Sequence, residues 1–139
     1  MSLFYKIHLG SMIHKRVDEL DYSTEKLCKF LKLTNAELLE IYKKESLESN
    51  LILKFSKLLD YDFFRIYSQH LILYSAKENK SENNIKSKLP NFKKNVYTHE
   101  IIDYILSKIN SNEMTPSEVI KRYNIPKNTL YKWLKKYSN

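Results

Sequence analysis

Six polar side chains between residues 127 and 135 carry the most distinctive chemistry in this sequence: Lys127, Asn128, Thr129, Tyr131, Lys132 and Lys135. On a helix whose inner side is Leu130, Trp133, Leu134 and Tyr137, at helical spacing, these six fall on the other side. An amide that donates and accepts at once matches the edge of adenine, and an ammonium group matches guanine. Phosphate oxygens take any of the cations and hydroxyls. Ser117 and Lys121, a little earlier in the chain, add one more hydroxyl and one more cation of the phosphate-contacting kind.

Two short helices and a tight turn, spanning Met114 to Tyr137, must position these groups. Thr115 and Glu118 form a T-x-x-E capping box, with Pro116 at the first helical position and Met114 and Val119 at staple spacing. Val119, Ile120 and Tyr123 continue the apolar side as far as Asn124, a residue type that tolerates a left-handed helix end. Ile125 then plugs the corner, and Pro126 opens the second helix. A pair of this form is the DNA-binding helix-turn-helix, whose second helix enters the major groove. The bland alternative is an α-hairpin with solvated lysines. The run YNIPKNTLYKWL resembles the helix-turn-helix of homeodomain-like bacterial transposases and resolvases, which implies binding to double-stranded DNA.

Composition narrows the classes. One glycine and three prolines in 139 residues leave few turns for a sheet, so an all-α chain is expected. No apolar run approaches the length of about 18 residues needed for a membrane span. Residues 1–20 lack the basic start and small-residue cleavage site of a signal peptide, and Cys28 is the single cysteine, so the expected compartment is the cytoplasm. His8, His14, His70 and His99 show no ligand spacing with one another or with Cys28, so no metal and no small-molecule cofactor are expected. The net charge of +8 is unevenly spread. Residues 1–78 hold 12 Lys+Arg against 11 Asp+Glu; residues 79–139 hold 12 against 5, which puts the polyanion-binding tendency in the second part.

From the start of the chain, Leu9, Ile13, Val17 and Leu20 recur at helical spacing and predict a helix over about 6–20, straight through Gly10. Ser23 caps a second helix, with Leu27, Cys28 and Leu31 inward. Thr34 and Glu37 form another capping box, opening a third helix that runs to about Lys44. Ser46 or Ser49 starts a fourth, with Leu51, Ile52, Phe55, Leu58 and Leu59 as its stripe. The order resembles the lambda-repressor-like helix-turn-helix domain over roughly residues 6–62, with the second and third helices as the implied reading pair. Glu37 and Glu40 point outward there and repel phosphate. A fifth helix at 63–75 is apolar nearly all round, and such a helix must be covered on several sides. Phe63, Phe64, Tyr67, Leu71 and Tyr74 are therefore expected to hold a homodimer, the commonest closed oligomer.

Composition changes abruptly at 77–95, a polar, lysine-rich stretch with the character of a flexible linker. Its lysines suit phosphate tracking, and Leu89-Pro90-Asn91-Phe92 is expected to dock on one of the domains. Thr98 then caps a helix with Ile101, Ile102, Ile105, Leu106 and Ile109 inward. The expected organisation is a helical domain at 1–76, a basic linker at 77–95 and a three-helix domain at 96–139. This order is similar to that of small bacterial transposase-like helix-turn-helix proteins, most firmly at 47–76 and 92–137. The resemblance implies a protein that sits on the nucleoid when bound to DNA.

Enzymatic function is not expected. An acidic-triad nuclease needs carboxylates gathered on a mixed sheet around metal ions, and no strand pattern exists here. Arg16, Arg65 and Arg122 are scattered, unlike the cluster that surrounds a nucleophilic tyrosine, and one glycine builds no phosphate loop. Two readings stay open: a sequence-specific DNA-binding regulator or recognition component of a mobile element, and a protein-assembly module that holds nucleic acid nonspecifically through its basic end.

Overall fold

The computed structural model describes residues 2–75, 87–92 and 95–137. Among these the chain is all-helical, with eight helices and no strand. They are α1 (Leu9–Glu19), α2 (Thr24–Leu31), α3 (Asn35–Tyr42), α4 (Ser49–Leu58), α5 (Phe64–Tyr74), α6 (His99–Asn110), α7 (Pro116–Tyr123) and α8 (Lys127–Tyr137). A chain with one glycine must reverse direction with other residues. Asp21, Lys32, Asp60, Asn112 and Asn124 do so, with φ between 48° and 61°. Asp and Asn tolerate this left-handed region through their short polar side chains; a lysine there is strained.

The chain divides into two compact units, and the boundary falls after Ser68, inside α5, earlier than the expected boundary at 76. One unit is Phe4–Ser68. Its core gathers Leu9, Ile13 and Val17 of α1, Leu27 and Leu31 of α2, Leu38 and Ile41 of α3, Ile52 and Phe55 of α4, and Leu59 and Phe63. Gly10 sets how closely α1 approaches the end of α3. A Cβ there would lie 2.4 Å from the Ile41 carbonyl oxygen and 2.6 Å from that of Lys44. That approach lets the otherwise orphaned Leu9 and Gly10 N–H groups donate to Glu45 O and Lys44 O, both at 2.9 Å. Arg16 reaches the far end of α4, donating to Leu59 O at 3.1 Å and Asp60 O at 3.3 Å.

Local signals placed α2 and α3 well: Ser23 accepts from Lys26 N–H, and Thr34 and Glu37 form the reciprocal capping box. α1 begins three residues later than expected, because His8 Nδ1 accepts from Ser11 N–H and acts as the N-cap. Phe4, ahead of it, is buried. α4 begins at Ser49, one of the two expected starts, behind Glu48 and with no side-chain cap.

The other unit comprises Gln69–Asn139 with Met1–Leu3. The second half of α5 therefore belongs with α6, α7 and α8, and the expected three-helix domain at 96–139 is only part of a larger core. Leu73, Ile101, Ile105, Val119, Ile125 and Leu130 are its most enclosed members. Gln69, 3% exposed, is the one buried polar side chain among the described residues. Its amide holds the backbone ahead of α6: Nε2 donates to Val96 O at 2.7 Å, and Oε1 accepts from Thr98 N–H at 3.2 Å. Ser2 Oγ and the Tyr74 hydroxyl share a hydrogen bond of 2.5 Å.

Most of the stretch at 77–95 lies outside the described residues. Within it, the expected docking of 89–92 does not occur. Leu89 is 77% and Phe92 88% exposed, and Pro90 and Asn91 are exposed as well. Four residues with two apolar side chains among lysines gain too little burial to offset ordering. No described helix is long and apolar enough to cross a membrane.

Candidate nucleic-acid interface

The candidate surface is built from α7, a three-residue turn and α8. At the start of α7, Thr115 Oγ1 accepts from Glu118 N–H at 3.3 Å, and Glu118 Oε2 accepts from Thr115 N–H at 2.7 Å. Pro116 occupies the first helical turn, where its missing N–H removes no bond. Asn124 ends α7 in the left-handed region at φ 53°. Ile125 then drops into the core, and the Pro126 carbonyl accepts from Leu130 N–H at 3.1 Å. Pro126 thus stands just outside α8, whose first helical residue is Lys127.

Trp133 fixes the rotation of α8. Its ring and the Leu130 side chain are buried, and Tyr97 meets Trp133 edge-on with centroids 5.0 Å apart. Leu134 is half-buried, and Tyr137, expected inward, is exposed at the frayed end, where His99 meets its ring edge-on at 6.1 Å. With that side inward, Lys127, Asn128, Tyr131, Lys132 and Lys135 are exposed, and Thr129 is half-buried. Ser117 and Lys121 of α7 are exposed too. The structure therefore leaves seven of the eight predicted residues exposed.

No acidic residue lies on α8, and among the described residues no ion pair involves Lys121, Lys127, Lys132 or Lys135. The nearby carboxylates have other partners. Glu118 is held in the capping box. Glu113 bonds Lys108 Nζ at 2.8 Å, which lowers the glutamate pKa and raises that of the lysine. Two cations beside this surface were not among the predicted contact residues. Arg122 lies over the Tyr123 ring at 5.4 Å and donates to Ser75 O at 3.4 Å; Lys136 lies over Tyr137 at 5.2 Å. Excess charge on α8 was the available signal for Lys136; the Ser75 carbonyl that Arg122 reaches is too distant in sequence to read. Lys127 Nζ stands 5.9 Å from the Tyr131 ring, so the exposed tyrosine carries a cation beside it.

The five residues expected at a dimer contact differ in exposure. Phe63 is 1% exposed, sealed in the core of its own unit, and is not available to a partner. Tyr74 is half-buried, with its hydroxyl bonded to Ser2 and to Tyr104, whose own phenol burial pushes up. Tyr67 is half-buried, and burial raises its pKa. Phe64 and Leu71 face solvent, Leu71 at 60% exposure. On α3, the outward carboxylates are engaged: Glu37 in its capping box, Glu40 with Lys43 Nζ at 3.0 Å. His14 stacks on Tyr42 with centroids 4.2 Å apart and stands 3.8 Å from Asp18. No group of three or more metal-ligating side chains exists among the described residues.

Among the described residues the fold is thus all-α, and the candidate surface is an exposed, basic helix face. Comparison with known protein families, with curated proteins and with solved structures finds no match to this chain.

Proposed function

We propose that the protein binds double-stranded DNA through α7 and α8, used as a helix-turn-helix with α8 in the major groove. The observation that carries this reading is the outer face of α8: Lys127, Asn128, Tyr131, Lys132 and Lys135 exposed together, no acid on the helix and none paired to its lysines among the described residues. A three-residue turn with a left-handed Asn124 suits the sharp joint of a helix-turn-helix. Such a protein would act in regulation, or as the recognition part of a mobile element, in the cytoplasm and without catalysis or cofactor. Self-association through the exposed Leu71 of α5 would match a palindromic site. Leu71→Asp should then yield a monomer that stays folded.

The competing reading, a protein-assembly module with nonspecific affinity for nucleic acid, is separated by specificity and not by affinity. Any basic surface binds DNA in a salt-sensitive way. Selection of bound fragments from random duplex DNA by the purified full chain is the test. Enrichment of one motif, bound about a thousandfold tighter than random duplex, is the expected result. Recovery of fragments with no shared motif would leave only nonspecific binding.

A further inference from the structure

Phe30 of α2 is the most exposed large apolar residue of the unit Phe4–Ser68, at 65%. A single exposed apolar residue needs no explanation, but Phe30 stands among three lysines, one of them in strained backbone. Lys26 and Phe30, four residues apart, share one stripe of α2. Lys29 adjoins Phe30, and Lys32 ends the helix as its C-cap. All four residues are exposed.

The unit holds 11 Lys+Arg against 10 Asp+Glu over residues 4–68, so any pull on an anion is local. Lys6, Arg16, Lys43 and Arg65 have carboxylate partners. Lys26, Lys29 and Lys32 have none among the described residues. Glu25, the one acid of α2, lies about 140° round the helix from Phe30. Lys32 is the most telling of the three lysines. The other left-handed positions of the described chain are Asp or Asn, and this one, at φ 56°, is a lysine. Glycine or asparagine would relieve the strain, and Lys29 in the last turn already meets the helix dipole. A lysine kept there against the backbone preference is held for its ammonium group.

The ligand must bring anions and a flat apolar face together. Single-stranded nucleic acid does so: its phosphates suit lysines, and its open bases stack on aromatic rings. A duplex hides its base faces in the stack, and one laid across α2 and α3 meets the exposed Glu37 and Glu40. An acidic peptide matches the lysines through its carboxylates, which leave the ring uncovered. We propose that Phe30, Lys26, Lys29 and Lys32 form a platform for a single-stranded nucleic acid, with one unpaired base on the ring and its flanking phosphates on the lysines. These residues lie outside the unit that holds α8, so the proposal does not rest on the duplex-binding reading.

The test uses the full chain and labelled strands of about 15 nucleotides: oligothymidine, oligouridine and an abasic backbone of equal length and charge. Fluorescence anisotropy should show the wild type binding oligothymidine or oligouridine more tightly than the abasic strand; the tighter of the two names the strand as DNA or RNA. Phe30 is exposed, so Phe30→Ser leaves the core intact. This variant should lose about tenfold in affinity for the preferred strand and bind it no better than the abasic one. Phe30→Trp should keep the affinity and be quenched on binding. Lys29→Ala should lower the salt slope by about 0.7. Lys32→Gly should lower it equally while raising the urea midpoint, an opposition of stability and binding that a lysine held for a ligand requires. Duplex binding should be the same in all these proteins; its absence overturns the reading of α8 alone. Equal affinity of wild type and Phe30→Ser for both base-bearing strands, or wild-type binding of the abasic strand as tightly as either, overturns the platform. A peptide of glutamate and leucine that binds the wild type but not Phe30→Ser, with strand binding unchanged, assigns the face to a protein partner and overturns it too.

Discussion

Gln69 and Thr98 are joined by a hydrogen bond of 3.2 Å across 29 residues of sequence, with the Thr98 N–H donating to Gln69 Oε1. The same amide donates to Val96 O at 2.7 Å. Both ends of the side chain are fixed by chemistry: a carbonyl can only accept and a backbone N–H can only donate. Thr98 is also the N-cap of α6, so one buried glutamine on α5 sets where that helix begins.

Gln69→Leu should destabilise its unit by about 1 kcal/mol, since it removes two part-buried hydrogen bonds, to Val96 O and from Thr98 N–H. Gln69→Glu adds a diagnostic pH dependence. The carboxylate accepts from Thr98 but repels the Val96 carbonyl, so its folded pKa rises above the unfolded value of about 4.3. Stability should be fullest below that value and be lost as pH rises through the folded pKa. Thermal melts of the two variants from pH 3 to 7 measure this; a Gln69→Glu melt independent of pH would contradict the clamp.

The contrast between Thr98 and Gln69 explains what could be read in the sequence. Ser23, Thr34, Thr98 and Thr115 cap helices through atoms three residues away, so their roles are visible in a short window. The accessible face of α8 was equally legible, because helical spacing fixes what lies opposite Leu130 and Trp133. Gln69 finds its partners 27 and 29 residues away, beyond any local pattern. The stretch at 63–75 shows the complementary failure: where apolar residues cover most of the circumference, periodicity cannot say that Phe63 turns inward and Leu71 outward. His8 is a rare cap type, and no pattern marks it.

Gly10→Ala should destabilise by about 1–3 kcal/mol. In an exposed helix the same change would stabilise by up to about 1 kcal/mol. Here the added Cβ meets backbone oxygens of Ile41, Tyr42 and Lys44 at 2.4–2.7 Å, and backbone cannot swing aside. A urea midpoint that rises on substitution would show that α1 and the end of α3 are not held this closely.

Lys32→Gly should be stabilising by up to about 1 kcal/mol, because Lys32 holds a left-handed φ of 56° at the end of α2 without a compensating side-chain bond among those described. Asn124→Gly should be nearly neutral, and Asn124→Val should destabilise by about 1–2 kcal/mol, since a β-branched residue pays the full steric penalty at φ 53°. Chemical denaturation of the three variants gives the order directly.

Burial first, then the Asp18 carboxylate and Cys28, push the Tyr42 phenol up to about 12. An unfolded tyrosine titrates near 10, so between these values the unfolded chain gives up its proton first. The contribution is complete below about pH 10 and lost as pH climbs through 12. Partial exposure keeps it below about 2 kcal/mol. Tyr42→Phe should flatten the fall in stability between pH 9.5 and 11.5, read from urea midpoints; an unchanged slope would place the alkaline sensitivity elsewhere.

The proposed reading helix, α8, gives the sharpest expectation. Asn128 is exposed near the start of α8, the end that approaches bases when such a helix enters the major groove, and its amide can donate and accept at once. Asn128→Ala should therefore weaken binding to the selected site by about 1–3 kcal/mol and leave random duplex nearly unaffected. Lys121 and Lys135, exposed and without ion-pair partners among the described residues, touch phosphate in this arrangement. Lys121→Ala or Lys135→Ala should weaken every duplex alike and lower the salt slope by about one. Leu130 and Trp133 are buried, so Trp133→Ala should cost about 3–5 kcal/mol of stability and unfold the unit before any preference can change. Binding isotherms on selected and scrambled duplexes, after circular dichroism has confirmed folding, separate these roles. Equal losses on both duplexes for Asn128→Ala would make α8 a positioning element that leaves the bases unread.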